Sequence, residues 1–356
     1  MSDPVFGKAS SKQETKPEKP GKSRFWIKFF LLLVVVGALG AAGGLIVLDR
    51  IIPAKFAEAG PAKQTTLVTI EPGTGLNAIA YQLADAGLIE HANWFRLKGK
   101  MTGAGISLKA GEYSIVAQAS LDDIFAQMQA GQVIQHGITI AEGLTSRAIL
   151  QTLRDNEVLR GAIETVPPEG SLLPETYHVV RGTSRSKLLE RMARDQSELL
   201  DQLWAGRDKN LPITTPQQAV ILASIVEKET GLQAEHGRVA AVFINRMRRG
   251  MRLESDPTIL YGLNGGVPLG RGLRRSEIDR KTAWNTYQIR GLPPTPICNP
   301  GRAALYAVLH PAQTRDLYFV ADGSGGHVFA RSYARHLVNV ANWRKLERQR
   351  KRAKQE

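Results

Sequence analysis

The chain carries one long uncharged run, FFLLLVVVGALGAAGGLIVL, from Phe29 to Leu48. At 1.5 Å rise per residue, a helix over this run spans about 30 Å, the hydrocarbon thickness of a bilayer. Residues 29–48 therefore predict a transmembrane helix. A cleaved secretory signal fits less well, because the run is too long for an h-region and LIVLDR offers no small-x-small cleavage site. Lys8, Lys12, Lys16, Lys19, Lys22, Arg24 and Lys28 precede the run, with Trp26 near the interface. The positive-inside rule then puts residues 1–28 in the cytoplasm and the rest of the chain on the far side, periplasmic for an inner-membrane protein.

Beyond an Ala/Pro/Lys linker at 49–64, the pattern shortens to alternating strands and helices. TTLVTIEP alternates as a strand does, and GTGLNAIAYQLADAGLI places apolar residues at 76, 79, 80, 83 and 84, the period of an amphipathic helix ending at Gly87. HANWFRLKGKMTG predicts a second helix, and SLKAGEYSI, from Ser107 to Ile115, a second strand. The order strand, helix, helix, strand resembles a LysM-like module, a small glycan-binding fold, and bounds a subdomain at 65–135. SLDDIFAQMQAG follows as a helix, with Ser120 and Asp123 forming a capping box and Gly131 closing it. VIQHGITIAEG predicts a strand, and two helical stretches flank a loop, VPPEGSLLPETYHVVRG. The fold class is thus α+β, with a second domain at 136–343 and a basic, disordered tail at 344–356.

Composition adds little to this. The chain is 43% hydrophobic and 22% charged, as globular proteins are, and its net charge of +14 lies mostly in the tails. Residues 1–28 hold +4 and residues 344–356 hold +5, which argues against a nucleic-acid-binding body. Cys298 is the single cysteine, so neither an internal disulfide nor a multi-cysteine metal site can form. The histidines show no metal-ligating spacing, and DGSGGH at 322–327 lacks the context of a nucleophile elbow, so it predicts a tight turn.

TTPQQAVILASIVEKETG carries the chemistry. Thr215 as N-cap, Pro216 at the first helical position, Gln218 in a capping box and Gly231 as C-cap predict a helix over 216–230. The helix is apolar nearly all round from Ala219 to Val226, and so is buried. Its last turn carries Glu227 and Glu229, where the helix dipole already disfavours a negative charge. Burial there raises a carboxyl pKa, and a carboxyl protonated near neutral pH is what a general acid requires. Glu227 stacks over the small residues Ala223 and Ser224, which would leave room for a substrate, and is the preferred acid on that ground. Two solvated helix-end glutamates paired with Lys228 or a nearby arginine remain the alternative.

The stretch ASIVEKETGLQAEHGRVAAVFINRMRRGMRLESDPTILYG resembles the endolytic murein transglycosylases, the YceG-like proteins. TAWNTYQIRGLPPTPICNPG, AVLHPA and LYFVADGSGGHVFA add to the resemblance, which covers residues 25–342. It implies a single-pass, inner-membrane enzyme with a LysM-like subdomain and a C-terminal catalytic domain. Such an enzyme cuts the β-1,4 bond between N-acetylmuramic acid and N-acetylglucosamine in nascent glycan strands and so ends their elongation. The resemblance maps the catalytic glutamate to Glu227, implies no metal or cofactor, and suggests peptidoglycan synthases as partners. Asn285, Tyr287, Tyr261, Asp256, Asn245 and Glu175 are the candidate substrate-binding residues, with Arg246, Glu254, Thr286, Thr176 and Tyr177 in the same motifs. A hydrolytic muramidase using Asp256 or Glu254 as a second carboxylate, and a non-catalytic peptidoglycan-binding scaffold, remain open.

Overall fold

The computed structural model describes residues 1–2, 22–103 and 108–353. The chain is mixed α and β and divides into two compact units, one built from Met1–Val68, Gly75–Leu108 and Ile115–Ala130, the other from Thr69–Thr74, Lys109–Ser114 and Gly131–Glu356.

Helix α1, Lys22–Ile46, runs into a π-helical turn at Val47–Ile51 and then into α2, Ile52–Ala57. Together Phe25–Ala57 form the one helix among the described residues that is long and apolar enough to cross a membrane. The helix thus extends beyond the sequence-based span of 29–48 at both ends, and residues 49–57 of the expected 49–64 linker are helical. Pro53 is accommodated directly after the π-helical turn, in the first turn of α2. Most of the expected cytoplasmic tail lies outside the described residues.

After the long helix, β1 (Thr66–Ile70), α3 (Leu76–Asp85), α4 (Ala92–Met101) and β2 (Gly111–Ile115) follow in the order the sequence predicted, and β1 pairs with β2. The start of the predicted second strand at Ser107 lies outside the described residues. Gly99 lets α4 approach α3, since a Cβ there would stand 2.6 Å from the Leu76 side chain. Ile79, Leu83 and Phe95 are buried with Ile124, Phe125 and Met128 of α5 (Leu121–Ala130). The Ser120–Asp123 capping box forms, with reciprocal bonds of 3.0 and 3.1 Å.

In the second unit, β3 (His136–Thr139) pairs antiparallel with β5 (Thr176–Val179), with Ile138 opposite Tyr177. The strand β5 lies inside a stretch that reads as loop; it forms because Tyr177 and Val179 alternate into the core between exposed Thr176 and His178. Helix α6 (Ser146–Arg154), the short parallel pair β4 (Leu159–Arg160) and β6 (Thr183–Ser184), and α7 (Arg185–Ala205) complete this part, with Ile149, Leu159 and Leu188 packed in one core with Ile138 and Tyr177. A larger core centres on α8, Pro216–Glu229, whose residues Ala219 to Val226 are all buried. Val239, Phe243 and Ile244 of α9 (Gln233–Arg248) and Ala304, Leu305 and Val308 of α12 (Arg302–Leu309) pack with it.

The ends of α8 differ in detail from expectation. The Thr215 side chain accepts from Gln218 N as predicted, but the Gln218 carbonyl oxygen reaches back one residue further, to Thr214 N at 2.6 Å. At the other end Thr230 turns extended (φ −145°, ψ 132°), and Gly231 takes no left-handed conformation. The remaining elements are α10 (Asp256–Asn264), α11 (Arg275–Ile278), the hairpin β7 (Tyr318–Ala321)–β8 (His327–Ala330), whose turn is DGSGGH, and α13 (Tyr333–Ala353). Residues 344–353, expected as a disordered tail, are helical in α13; Trp343 and Leu346 lie against Gly323 of the hairpin turn, and Arg350 donates to Gly323 O at 2.6 Å.

Candidate functional site

Glu227 and Glu229 leave α8 on faces roughly 160° apart, since successive helical residues turn by about 100°. They enter different surroundings. Glu227 Oε2 accepts the Gly301 backbone N–H at 3.0 Å. Glu142 presses against the same glycine, where a Cβ would stand 1.7 Å from its carboxylate. Burial pushes the Glu227 carboxyl above its usual range; the Gly301 N–H opposes this, and the negative charge of Glu142 adds to it. The space beneath Glu227 is filled. Ala223 and Ser224 are fully buried, Ser224 Oγ accepts from Ile297 N at 3.0 Å, and the Cys298 thiol donates to Ser224 O at 3.3 Å. The small residues that suggested a substrate pocket instead admit the returning PTPICNPG segment.

Glu229 is half-buried, and Ser255 Oγ donates to its Oε1 at 2.5 Å. Among the described residues no hydrogen bond or ion pair reaches Oε2. Burial raises its pKa to about 7; the Ser255 hydroxyl opposes the shift, Asp256 reinforces it, and His327 and Arg246 oppose it. Ser255 is itself fixed, because its N–H donates to Thr286 Oγ1 at 2.9 Å and Thr286 lies 2.9 Å from Thr258 Oγ1. Glu254, just before it, holds a left-handed backbone (φ 53°), a conformation that costs a non-glycine residue energy and clusters at functional sites. Asp256 opens α10, and the Tyr287 hydroxyl donates to its Oδ1 at 2.8 Å. Burial and the neighbouring Asp256 push the Tyr287 pKa up, so the hydroxyl stays a donor.

Arg246 and His327 complete the surroundings of Glu229. Arg246 is buried and spans Leu317 O and Leu253 O, each at 2.7 Å, and Glu254 Oε2 at 3.3 Å. Burial lowers its pKa, with Glu254 opposing. The β7–β8 turn sets His327, whose Nδ1 lies 2.7 Å from Glu235 Oε2 while its backbone N–H donates to Oε1 at 2.8 Å. Burial pushes Glu235 up, but these bonds from His327 outweigh it and hold the carboxylate below its usual range.

Of the candidate residues, Asp256 and Tyr287 meet at Glu229. Asn285 is turned inward, with Nδ2 donating to Ile278 O and Arg280 O and Oδ1 accepting from Tyr287 N, so it braces the loop that carries Tyr287. Tyr261 stacks edge-on against Trp284, 5.6 Å between ring centres, at the margin of the α8 core. Asn245 donates to Thr314 O and Asp316 O. Glu175 lines a polar cavity of about 350 Å³ with Tyr177, Arg191, Asp195 and Arg302. Ser255, Glu142 and Glu235 were not singled out from sequence. Ser255 lies between Glu254 and Asp256 and could have been found there, whereas Glu142 comes close to Glu227 only through tertiary folding.

A model of the YceG-like family matches residues 68–342. The chain belongs to that family. The match runs from within β1 into the first half of α13, and takes in every group around Glu227 and Glu229. An endolytic murein transglycosylase from Streptococcus pneumoniae is 28% identical over 366 residues, covering 89% of this chain and 64% of that protein. The chain thus spans somewhat less than two thirds of that relative's length. An endolytic murein transglycosylase from Bacillus subtilis is 28% identical over 308 residues, covering 77% of this chain and 84% of that protein. A crystal structure of a yceG-like protein from Listeria monocytogenes is 27% identical, covers 77% of this chain and 99% of that one, and superposes with a TM-score of 0.46.

Proposed function

We propose that this YceG-like protein is a peptidoglycan lytic transglycosylase and that Glu229 is its general acid. The observation that carries the role is a half-buried carboxyl with a pKa near 7, one oxygen held by Ser255 and the other open. The names of the two relatives supply the substrate class. In the reaction the protonated Glu229 donates to the glycosidic oxygen as its bond to the muramoyl anomeric carbon breaks. The muramoyl C6 hydroxyl attacks that carbon, its proton passes to the Glu229 carboxylate, and a 1,6-anhydro end remains. One carboxyl group serves twice and water is not consumed, whereas a hydrolase needs a second carboxylate to activate water or attack the sugar. Tyr287 and Asp256 stand beside the scissile sugar in this reading. Cleavage within nascent strands would end their elongation.

Glu227 is the second reading, favoured by its own raised pKa beside Glu142. The two separate in one assay. The full chain in detergent is incubated with uncrosslinked glycan strands and the products are weighed by mass spectrometry. Anhydromuramoyl ends that survive in Glu227→Gln and vanish in Glu229→Gln support the proposal. The reverse pattern transfers the role to Glu227, reducing ends make the protein a muramidase, and no cleavage by folded protein makes it a scaffold. Residues 65–135 would hold the strand as a LysM-like subdomain, and the helix at Phe25–Ala57 would anchor the enzyme with residues 58–353 outside the inner membrane.

A further inference from the structure

The carboxylate of Asp256 has no part in the single-carboxyl reaction above, yet it is the group most fully prepared around Glu229. It is exposed, it opens α10, and one of its oxygens is held by the Tyr287 hydroxyl at 2.8 Å. Among the described residues no hydrogen bond or ion pair reaches the other oxygen, Oδ2. Tyr287 is fixed in turn, because its N–H donates to Asn285 Oδ1 and Asn285 is tied to Ile278 O and Arg280 O. A negative charge of this kind, held in place before the reaction, suits a transition state in which positive charge grows on a sugar ring. Arg246, the buried arginine that acts on Glu229, is directed to Leu253, Leu317 and Glu254, and among the described residues no ion pair neutralises Asp256.

Resting on the reading of Glu229 as the acid, we infer that Asp256, held by Tyr287, is the fixed negative charge that stabilises the cationic sugar, and carries no proton in the reaction. The groups acting on Glu229 are Ser255 and Asp256 from the turn into α10, Arg246 from α9, His327 from β8 and Tyr287 from the 285–288 loop. Asp256 is the only one of these shown to raise the Glu229 pKa, so its charge also acts on the acid. Removing the charge should slow the chemistry and shift the acid's titration together; removing a merely structural contact should not shift the titration.

The test uses the full chain in detergent on uncrosslinked glycan strands, with kcat, KM and the pH profile read for each variant. Asp256→Asn should lower kcat by about 100-fold with little change in KM, in line with other losses of electrostatic stabilisation. Its alkaline limb should move to lower pH by about one unit, because Glu229 loses a like-charged neighbour. Asp256→Glu should recover part of kcat and the wild-type limb. Tyr287→Phe keeps the charge and frees it to move, so kcat falls by about 10-fold while the limb stays in place. The inference is overturned if Asp256→Asn keeps its kcat, or if its residual activity keeps the wild-type limb. It is also overturned if Tyr287→Phe moves the limb as far as Asp256→Asn does. Failure of the underlying reading looks different, since Glu229→Gln would then retain activity whatever Asp256 does.

Discussion

A carboxyl group that holds its proton to about pH 7 in the folded protein weakens the fold. Glu229 does so because burial outweighs the Ser255 hydrogen bond. The unfolded chain releases the same proton near the ordinary glutamate value of about 4.3. Below that value both states are protonated and pH has no effect through this group. Between about 4.3 and 7 the folded state binds more protons, so stability falls as pH rises, and it levels off above 7. Glu229→Gln removes the group, so in urea it should unfold later than the parent at pH 8, by roughly 1–3 kcal/mol. The gain should vanish at pH 4; an equal gain at both values would show that titration is not its source. Ser255→Ala tests the other half of the balance. The hydroxyl favours the charged form of Glu229, so its loss should raise the acid's pKa and extend glycan-cleaving activity to higher pH. A profile unchanged or moved to lower pH would count against the Ser255–Glu229 contact.

The helix α8 shows what was legible in the sequence. Its span, its Thr215 cap and its burial follow from local signals, because capping and apolar periodicity act over a few residues. What surrounds its last turn does not. The argument from small residues at Ala223 and Ser224 misplaced the open space, because what fills it, the segment at 294–301, lies more than seventy residues away. In the same way β5 was hidden by short length and neighbouring prolines, and found its partner only in β3. Asp256 and Tyr287 came forward as motif residues, but their hydrogen bond spans 31 positions and has no local signature. One packing detail at this scale is directly testable. Gly170 (φ 77°) lies against α8, where a Cβ would stand 2.6 Å from Val220 Cγ1 and 2.7 Å from Pro296 Cγ. Both are core atoms that cannot swing away, and the backbone is left-handed. Gly170→Ala should therefore cost about 2–4 kcal/mol in urea unfolding, and a loss under about 1 kcal/mol would mean that the loop yields.

At the scale of the molecule, the long apolar helix Phe25–Ala57 buries none of its most apolar stretch against the rest of the chain. A face of this length that nothing covers is stable in lipid and a liability in water. In the proposed reading, the basic residues before it hold the N-terminus in the cytoplasm. The proposed reaction on nascent glycan needs the opposite side, and so predicts residues 58–353 outside. The chain makes the test clean, because its only native cysteine, Cys298, is buried and burial raises its pKa well above the ordinary thiol value. Background labelling by a membrane-impermeant maleimide is therefore low. A cysteine introduced at exposed Glu58 should label in wall-stripped intact cells, and one at Ser2 should label only after lysis. Labelling at Ser2 in intact cells with protection at Glu58 would invert the topology, and an enzyme so oriented could not reach the wall it is proposed to cut.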